Sequence, residues 1–313
     1  MAYVYFTVVC LFFGSNFILM DRATRWFGPA EVGFWRVSNA AALMAVLWAT
    51  LDRRQRLRRR DLPVIGAIGL LANAYPYAAQ PMLISSGFGH SFFGMTVAFT
   101  PLLTILVSIP MLGVKPTKRQ MIGVLGGLLF VFLLIYDGEQ RGIHLGLLAM
   151  AVTIPLSYAI GNTWIRRNLK EADPTPLSAF MMATASVTLA PLAFGQPLAD
   201  SLGVGPPGPR EGYGLALFAL MTLGICGTGA CVWAFVRMVQ ERGPLFAGMV
   251  TYVVPVIAML WGLVDNETIT TRQIIAIAGI LLMVTLVQSP ARTADPSPSE
   301  SDEWQAEPIP ADA

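Results

Sequence analysis

Arg36 asks more of its surroundings than any other residue in the chain. It stands about two turns inside an apolar run that begins near Ala30. A bare guanidinium in hydrocarbon costs at least ~2.5 kcal/mol on insertion scales, so it needs a partner or a wet cavity. Two readings are open. The guanidinium can hold a solute carboxylate or set the charge of a vestibule; alternatively it snorkels outward, or bonds to helix carbonyls or to Asn16. Further polar and aromatic candidates cluster where proline interrupts apolar sequence. Asn73, Tyr77 and Gln80 accompany Pro76 and Pro81, Phe99 precedes Pro101, Tyr158 and Asn162 follow Pro155, and Tyr252 precedes Pro255, with Trp233 in another apolar run. Rings with polar tips can stack on an apolar solute and still offer a hydrogen bond. Tyr77, Tyr158 and Tyr252 suit pore lining and packing equally well, whereas Trp164, beside Arg166 and Arg167, fits an interfacial anchor.

All of this is recognition chemistry. Bond-breaking machinery is missing: there is no HExxH, no GxSxG, no pair of aspartates, and Gly14-Ser15-Asn16 lacks a histidine partner on its helix. No cluster has metal-ligand spacing, and neither metal nor cofactor is expected. Cys10, Cys226 and Cys231 form no CxxC and read as small packed residues. Asp21, Asp137, Asp265 and Glu267 fall at helix ends or in loops, and His90 and His144 near helix starts. Proton-coupled carriers usually route protons through buried carboxylates or histidines, so the pattern favours passage down a substrate gradient.

The elements that must position these residues are membrane helices. Of the 313 residues, 55% are hydrophobic and 13% charged, and the mean hydropathy of +0.60 is more than a soluble chain of this length can cover. Apolar blocks of roughly 18–25 residues match a ~30 Å hydrocarbon core. Spans are expected near 3–20, 30–51, 62–85, 89–112, 119–136, 144–166, 176–195, 213–238, 244–264 and 271–288. The first has no positively charged leader and no small-residue cleavage site, so it reads as a span. Residues 289–313, rich in Pro, Ser, Asp and Glu, are expected to be a disordered acidic cytoplasmic tail.

Loop charges set the orientation. Arg53, Arg54, Arg56, Arg58, Arg59 and Arg60 follow the second span, Lys115, Lys118 and Arg119 the fourth, Arg166, Arg167 and Lys170 the sixth, and Arg237 and Arg242 the eighth. The alternate loops hold Arg22, Arg25, Arg141, Arg210 and Arg272, and the tail adds Arg292. Lys and Arg mark cytoplasmic loops, so both termini are expected inside a multi-pass protein of the inner (plasma) membrane. The expected partners are the lipid bilayer and a small-molecule substrate, with no nucleic acid, in a monomer or homodimer. Asn266-Glu267-Thr268 is a formal glycosylation sequon on the outer side.

The sequence also repeats. Gly94-Met95 matches Gly248-Met249, and Pro101 matches Pro255 at the same spacing. Farther on, Arg119-Gln120 matches Arg272-Gln273, Gly126 matches Gly279, and Ser15 sits where Ser157 does. The expected architecture is an all-α membrane protein of ten helices in two five-helix repeats, 1–137 and 138–288. Five is odd, so the second copy must be inverted, as in alternating-access carriers. Gly94, Pro101, Gly248 and Pro255 are candidate hinges, or simple close-packing points.

At this level of detail the chain resembles the EamA branch of the drug/metabolite transporter superfamily over residues 1 to about 288. The resemblance rests on Phe13-Gly14-Ser15-Asn16-Phe17, on Arg36, on the Gly-x-x-x-x-Gly-Met…Pro pattern of Gly89–Pro101 and its copy Gly243–Pro255, and on Asn266-Glu267-Thr268-Ile269-Thr270…Gln273…Gly279. Asn266 replaces the usual Gly of that closing motif, and Val114 and Lys115 stand in the first repeat where the second has Glu267 and Thr268. The resemblance implies export or facilitated passage of amino acids and related metabolites. Members similar in layout include exporters of aromatic amino acids. A proton-coupled drug or metabolite antiporter, or a non-transporting membrane component such as a flippase partner or sensor, are the other classes weighed.

Overall fold

The computed structural model describes residues 2–50, 57–113, 117–135, 145–169, 171–207, 210, 212–235, 237–238 and 250–288. Among these residues the chain is helical, without a strand. That is what hydrocarbon requires of an open chain, since a helix satisfies its own backbone polar groups. Residues 289–313, expected to be a disordered tail, lie outside the described residues, as does Gly248.

Helices α1 (Ala2–Thr24) and α2 (Pro29–Thr50) are joined by a tight turn in which Phe27 N–H donates to Ala23 O. Pro29 opens α2, where a missing N–H costs nothing. Gly28 N donates to the Glu31 carboxylate at 2.7 Å, which satisfies an N-terminal donor and places negative charge at the positive helix end. Then follow α3 (Arg59–Ser85), α4 in two segments (His90–Val97 and Thr100–Leu112), α5 (Lys118–Ile135), α6 (Leu145–Asn168) and α7 (Pro174–Phe194). A short helix, Gln196–Ser201, precedes α8 (Tyr213–Phe235), α9 (Val250–Val264) and α10 (Thr271–Gln288). Among the described residues, seven stretches, in α1–α4 and α6–α8, are long and apolar enough to cross a bilayer. Met121–Phe130, Val253–Val264 and Thr271–Met283 are shorter apolar helices.

Three helices are broken, each for a visible reason. In α3 the turn Leu70–Ala74 widens to π geometry. Pro76 follows it, and a proline ring clashes with the carbonyl four residues earlier, which a π turn relieves. In α8 the π turn Ile225–Ala230 has no proline but carries Gly227 and Gly229 and follows Gly224, so few side chains resist the wider coil. In α4 the helix lapses at Ala98–Phe99, just ahead of Pro101, whose missing N–H removes a bond there.

Packing follows a paired plan. α1 lies against α9 and α4 against α6; α2 meets α7 and α5 meets α10; α3 packs on α7 and α8 on α2. Small residues bring these helices close. A Cβ on Gly14 would lie 2.5 Å from Ile257 Cβ, and one on Gly94 would lie 2.4 Å from Ala258 Cβ. The two π turns share their internal bonds as well. Asn73 Nδ2 donates to Ile68 O at 3.5 Å and Thr228 Oγ1 to Leu223 O at 2.9 Å, each reaching back five residues from the fourth position of its turn.

The loops gather at two ends. Arg22 pairs with Asp265, Ala30 N donates to Val204 O, and Arg210 lies over Trp26, which puts the α1–α2, α7–α8 and α9–α10 connections together at what we call the Arg22 end. The turn between α3 and α4 joins them, because Gly89 abuts the Glu267 carboxylate. The α2–α3 and α6–α7 connections lie together at the opposite, Arg58 end.

Candidate functional site

Arg36 neither snorkels nor bonds to Asn16. It is 4% exposed, and helices α1, α2, α3 and α8 converge on it. Nε donates to Thr228 Oγ1 at 2.7 Å, and Nη1 approaches Gln80 Oε1 at 3.5 Å and Met20 Sδ at 3.4 Å. The guanidinium carbon sits 4.1 Å from the centroid of the Tyr77 ring. A desolvated cation–π contact contributes about 2 kcal/mol, and a hydrogen bond from a charged donor about 1.5–3 kcal/mol. Together they more than offset the ~2.5–3.5 kcal/mol cost of placing the charge in the membrane. No counter-ion is needed, and among the described residues none is present. Nη2 makes no hydrogen bond to a described residue, so one edge of the cation is unused.

The sequence candidates divide around this point. Tyr77 and Gln80 touch Arg36, and Tyr158 of α6 lies beside Tyr77 and Gln80. Asn16 adjoins from α1: its Nδ2 donates to Gly227 O at 3.0 Å, while its Oδ1 is buried without a partner among the described residues. Asn73 is buried in the α3 π turn and bonds to its own helix. Phe99 is core, packed towards Gly127 of α5. Asn162 is exposed, and Trp233 pairs edge-on with Tyr5, with Arg237 over its face, so neither joins the Arg36 cluster. Tyr252 lies in α9 with its side chain outside the described residues. Gly94 and Pro255 pack on each other, so the candidate hinge between α4 and α9 is a close-packed contact.

Thr228 and Met20 were not singled out from sequence. Met20 gave no signal, but Thr228 had one: a polar residue between Gly227 and Gly229 in an apolar helix. The pairing of α3 with α7 and of α8 with α2 also locates the partner position of Arg36. A Cβ on Gly224 would meet Arg36 O and Asn39 Cβ, and one on Gly69 would meet Met181 O and Thr184 Cβ. Met181 therefore stands in α7 where Arg36 stands in α2. The charge belongs to one half only.

The Arg22 end is closed in two layers. In the first, Arg22 bonds to both Asp21 and Asp265, and Arg25 to Asp21, which fastens α1 to the end of α9. The second layer is Phe17, Phe88, Phe92 and Phe93, all nearly inaccessible, with Phe17 and Phe93 stacked at 6.0 Å. A part-buried ion pair contributes about 1 kcal/mol, or roughly fivefold in any equilibrium that breaks it. Asp265→Ala is therefore expected to raise, about fivefold, the rate at which a cysteine placed at Phe88 reacts with an impermeant maleimide, with Cys10, Cys226 and Cys231 replaced. An unchanged rate would remove this pair from the closure.

Known proteins place the fold. The EamA-like transporter family matches the chain twice, over residues 1–136 and 144–288. The chain belongs to that family and is a multi-pass membrane transporter of small molecules. It is 22% identical over 282 residues to a Bacillus subtilis (strain 168) protein described as "Uncharacterized transporter YyaM", covering 88% of this chain and 89% of that one. A crystal structure with 19% sequence identity covers 91% of this chain and 95% of its own at a TM-score of 0.62, a likeness of fold.

Proposed function

We propose that this transporter exports, or passes down their gradient, amino acids of the neutral or aromatic kind and related small metabolites, by alternating access. In this reading ten spans form two inverted units, residues 1–137 and 138–288, in the inner membrane with both termini inside. The paired packing plan and the matching π turns of α3 and α8 support the duplication. Carriers of this design bind solutes near the midplane at interrupted helices. The π turns of α3 and α8, the latter with Thr228, are interruptions of that kind.

The observation that carries the substrate reading is the unneutralised guanidinium of Arg36 with Nη2 unused. A carboxylate is its natural complement. Tyr77 and Tyr158 supply ring faces for an apolar or aromatic side chain, and Gln80 and Asn16 Oδ1 supply acceptors for an ammonium once the helices separate. Uptake into proteoliposomes tests this directly. Labelled neutral and aromatic amino acids should be taken up, with competition by carboxylated analogues and none by the corresponding amines. Absence of flux across a broad amino-acid panel would reject the reading.

With no carboxylate buried mid-helix among the described residues, uptake is expected to continue after an ionophore collapses the proton gradient. A stop on ionophore addition would identify a proton-coupled antiporter instead.

A further inference from the structure

At the Arg58 end, remote from Arg36, a cavity of about 360 Å³ opens between the start of α3 and the connection from α6 to α7. Its polar rim is Arg58, Arg60, Arg166 and Arg167, against Asp61 and Glu171. Arg60 stands 3.7 Å from Asp61, a loose pair, and among the described residues the other three arginines have no carboxylate partner. The cavity's apolar floor is Leu57, Leu169 and Ala172, and Leu169 belongs to a packed cluster with Ile65 and Leu177, edged by Leu57 and Trp164. Positive rim, apolar floor and a place at the helix ends coincide with the height of lipid phosphates.

We propose that this cavity binds the phosphodiester headgroup of an anionic membrane lipid. The guanidinium forks hold the phosphate oxygens, and the acyl chains descend along the apolar floor beside Trp164. Topology alone would explain scattered arginines in these loops. It does not require four of them to converge on one cavity. The walls also come from different parts of the fold. Leu57, Arg58, Arg60 and Asp61 lie at the start of α3, and Arg166–Leu169, Glu171 and Ala172 at the end of α6 and the connection to α7, so a bound lipid clamps the two stretches together. Its occupancy therefore depends on how those helices are disposed.

The test uses the full chain purified in a neutral detergent, with phosphatidylglycerol or phosphatidylcholine added in equal amounts. Phosphatidylglycerol is expected to raise the unfolding temperature by about 5 °C, the shift given by a ligand at roughly a hundredfold its Kd, and to stay bound in native mass spectrometry. Arg166→Gln with Arg167→Gln should remove at least half of that shift. Arg59→Gln, which removes one positive charge beside the cavity but outside its lining, should keep it, whereas Arg166→Gln alone should already lose part of it. An equal shift from phosphatidylcholine, or an equal loss in Arg59→Gln, would overturn the site in favour of diffuse attraction. The full shift from inorganic phosphate without lipid would overturn the lipid as its occupant. Each readout is independent of transport and so of the substrate proposed above.

Discussion

Arg36→Ala is expected to lower kcat/KM for carboxylated substrates by roughly 10- to 100-fold, the range of one or two charge-assisted hydrogen bonds at 1.5–3 kcal/mol in total. The loss should be selective. Solutes without a carboxylate, if carried at all, should lose little. Folding should suffer less than the number of contacts suggests, because the change removes a charge that costs ~2.5–3.5 kcal/mol along with the bonds that compensate it. What remains is a cavity over Tyr77 and an unserved acceptor on Gln80, while Thr228 Oγ1 keeps its bond to Leu223 O. Arg36→Lys separates charge from geometry. It keeps the cation but lacks the planar fork that bonds Thr228 and Gln80 while leaving a further edge for substrate. It is expected to fall between wild type and alanine, mainly through KM. Equal flux of a carboxylated amino acid through wild type and Arg36→Ala at equal expression would end the binding role and leave Arg36 a fastening between α2 and α8.

The second large effect concerns Gly227. A Cβ there would lie 2.0 Å from Asn16 Oδ1 and 3.1 Å from its Cγ, so even alanine must push the Asn16 amide off the bond it makes to Gly227 O. Gly227→Val is expected to drop folded yield severely, measured by fluorescence-detected size exclusion, since overpacking of this kind costs about 1–3 kcal/mol or more. Gly227→Ala should be milder. Asn16→Ala with Gly227→Ala should recover part of the loss, because the amide that met the methyl is gone; additive losses would place the problem elsewhere. Gly66→Ala and Gly214→Ala, where nothing lies within 4 Å of the added carbon, are the matched controls.

How much of this was legible depends on the kind of signal. Helix positions were, because bilayer thickness imposes a length that composition alone reveals; the expected span at 176–195 meets a helix at Pro174–Phe194. Arg36, Tyr77 and Gln80 were legible because a charge in hydrocarbon and a polar residue beside an intramembrane proline are each costly enough to stand out. Thr228 was not, since its importance lies in meeting Arg36 from 192 residues away, and no periodicity encodes that distance. Asn162 misled for a similar reason. It follows Tyr158 by one helical turn, but that turn carries it out of the packed centre to an exposed position. The match of Ser15 with Ser157 was also only approximate. Contacts set Asn16 against Gly227 and Gly161 against Ala72, each at the third place of a π turn, which pairs Asn16 with Gly161 and shifts the register by nearly a turn.

The unshared charge of Arg36 has an electrical consequence. In the proposed orientation the Arg22 end faces outward, so its two packed layers lie between Arg36 and the outside. In the alternating access proposed above, the arginine stays where it is and the field across it changes instead. A full transfer of one charge through the membrane potential is worth about 2.3 kcal/mol per 100 mV. In that proposed cycle a negative interior acts as a spring favouring the state shut to the outside, and depolarisation relaxes it. Because Met181 occupies the corresponding place in α7, no charge at that position opposes the pull. In the proposed cycle, voltage becomes a setting on the carrier's resting state, even for a substrate with no net charge.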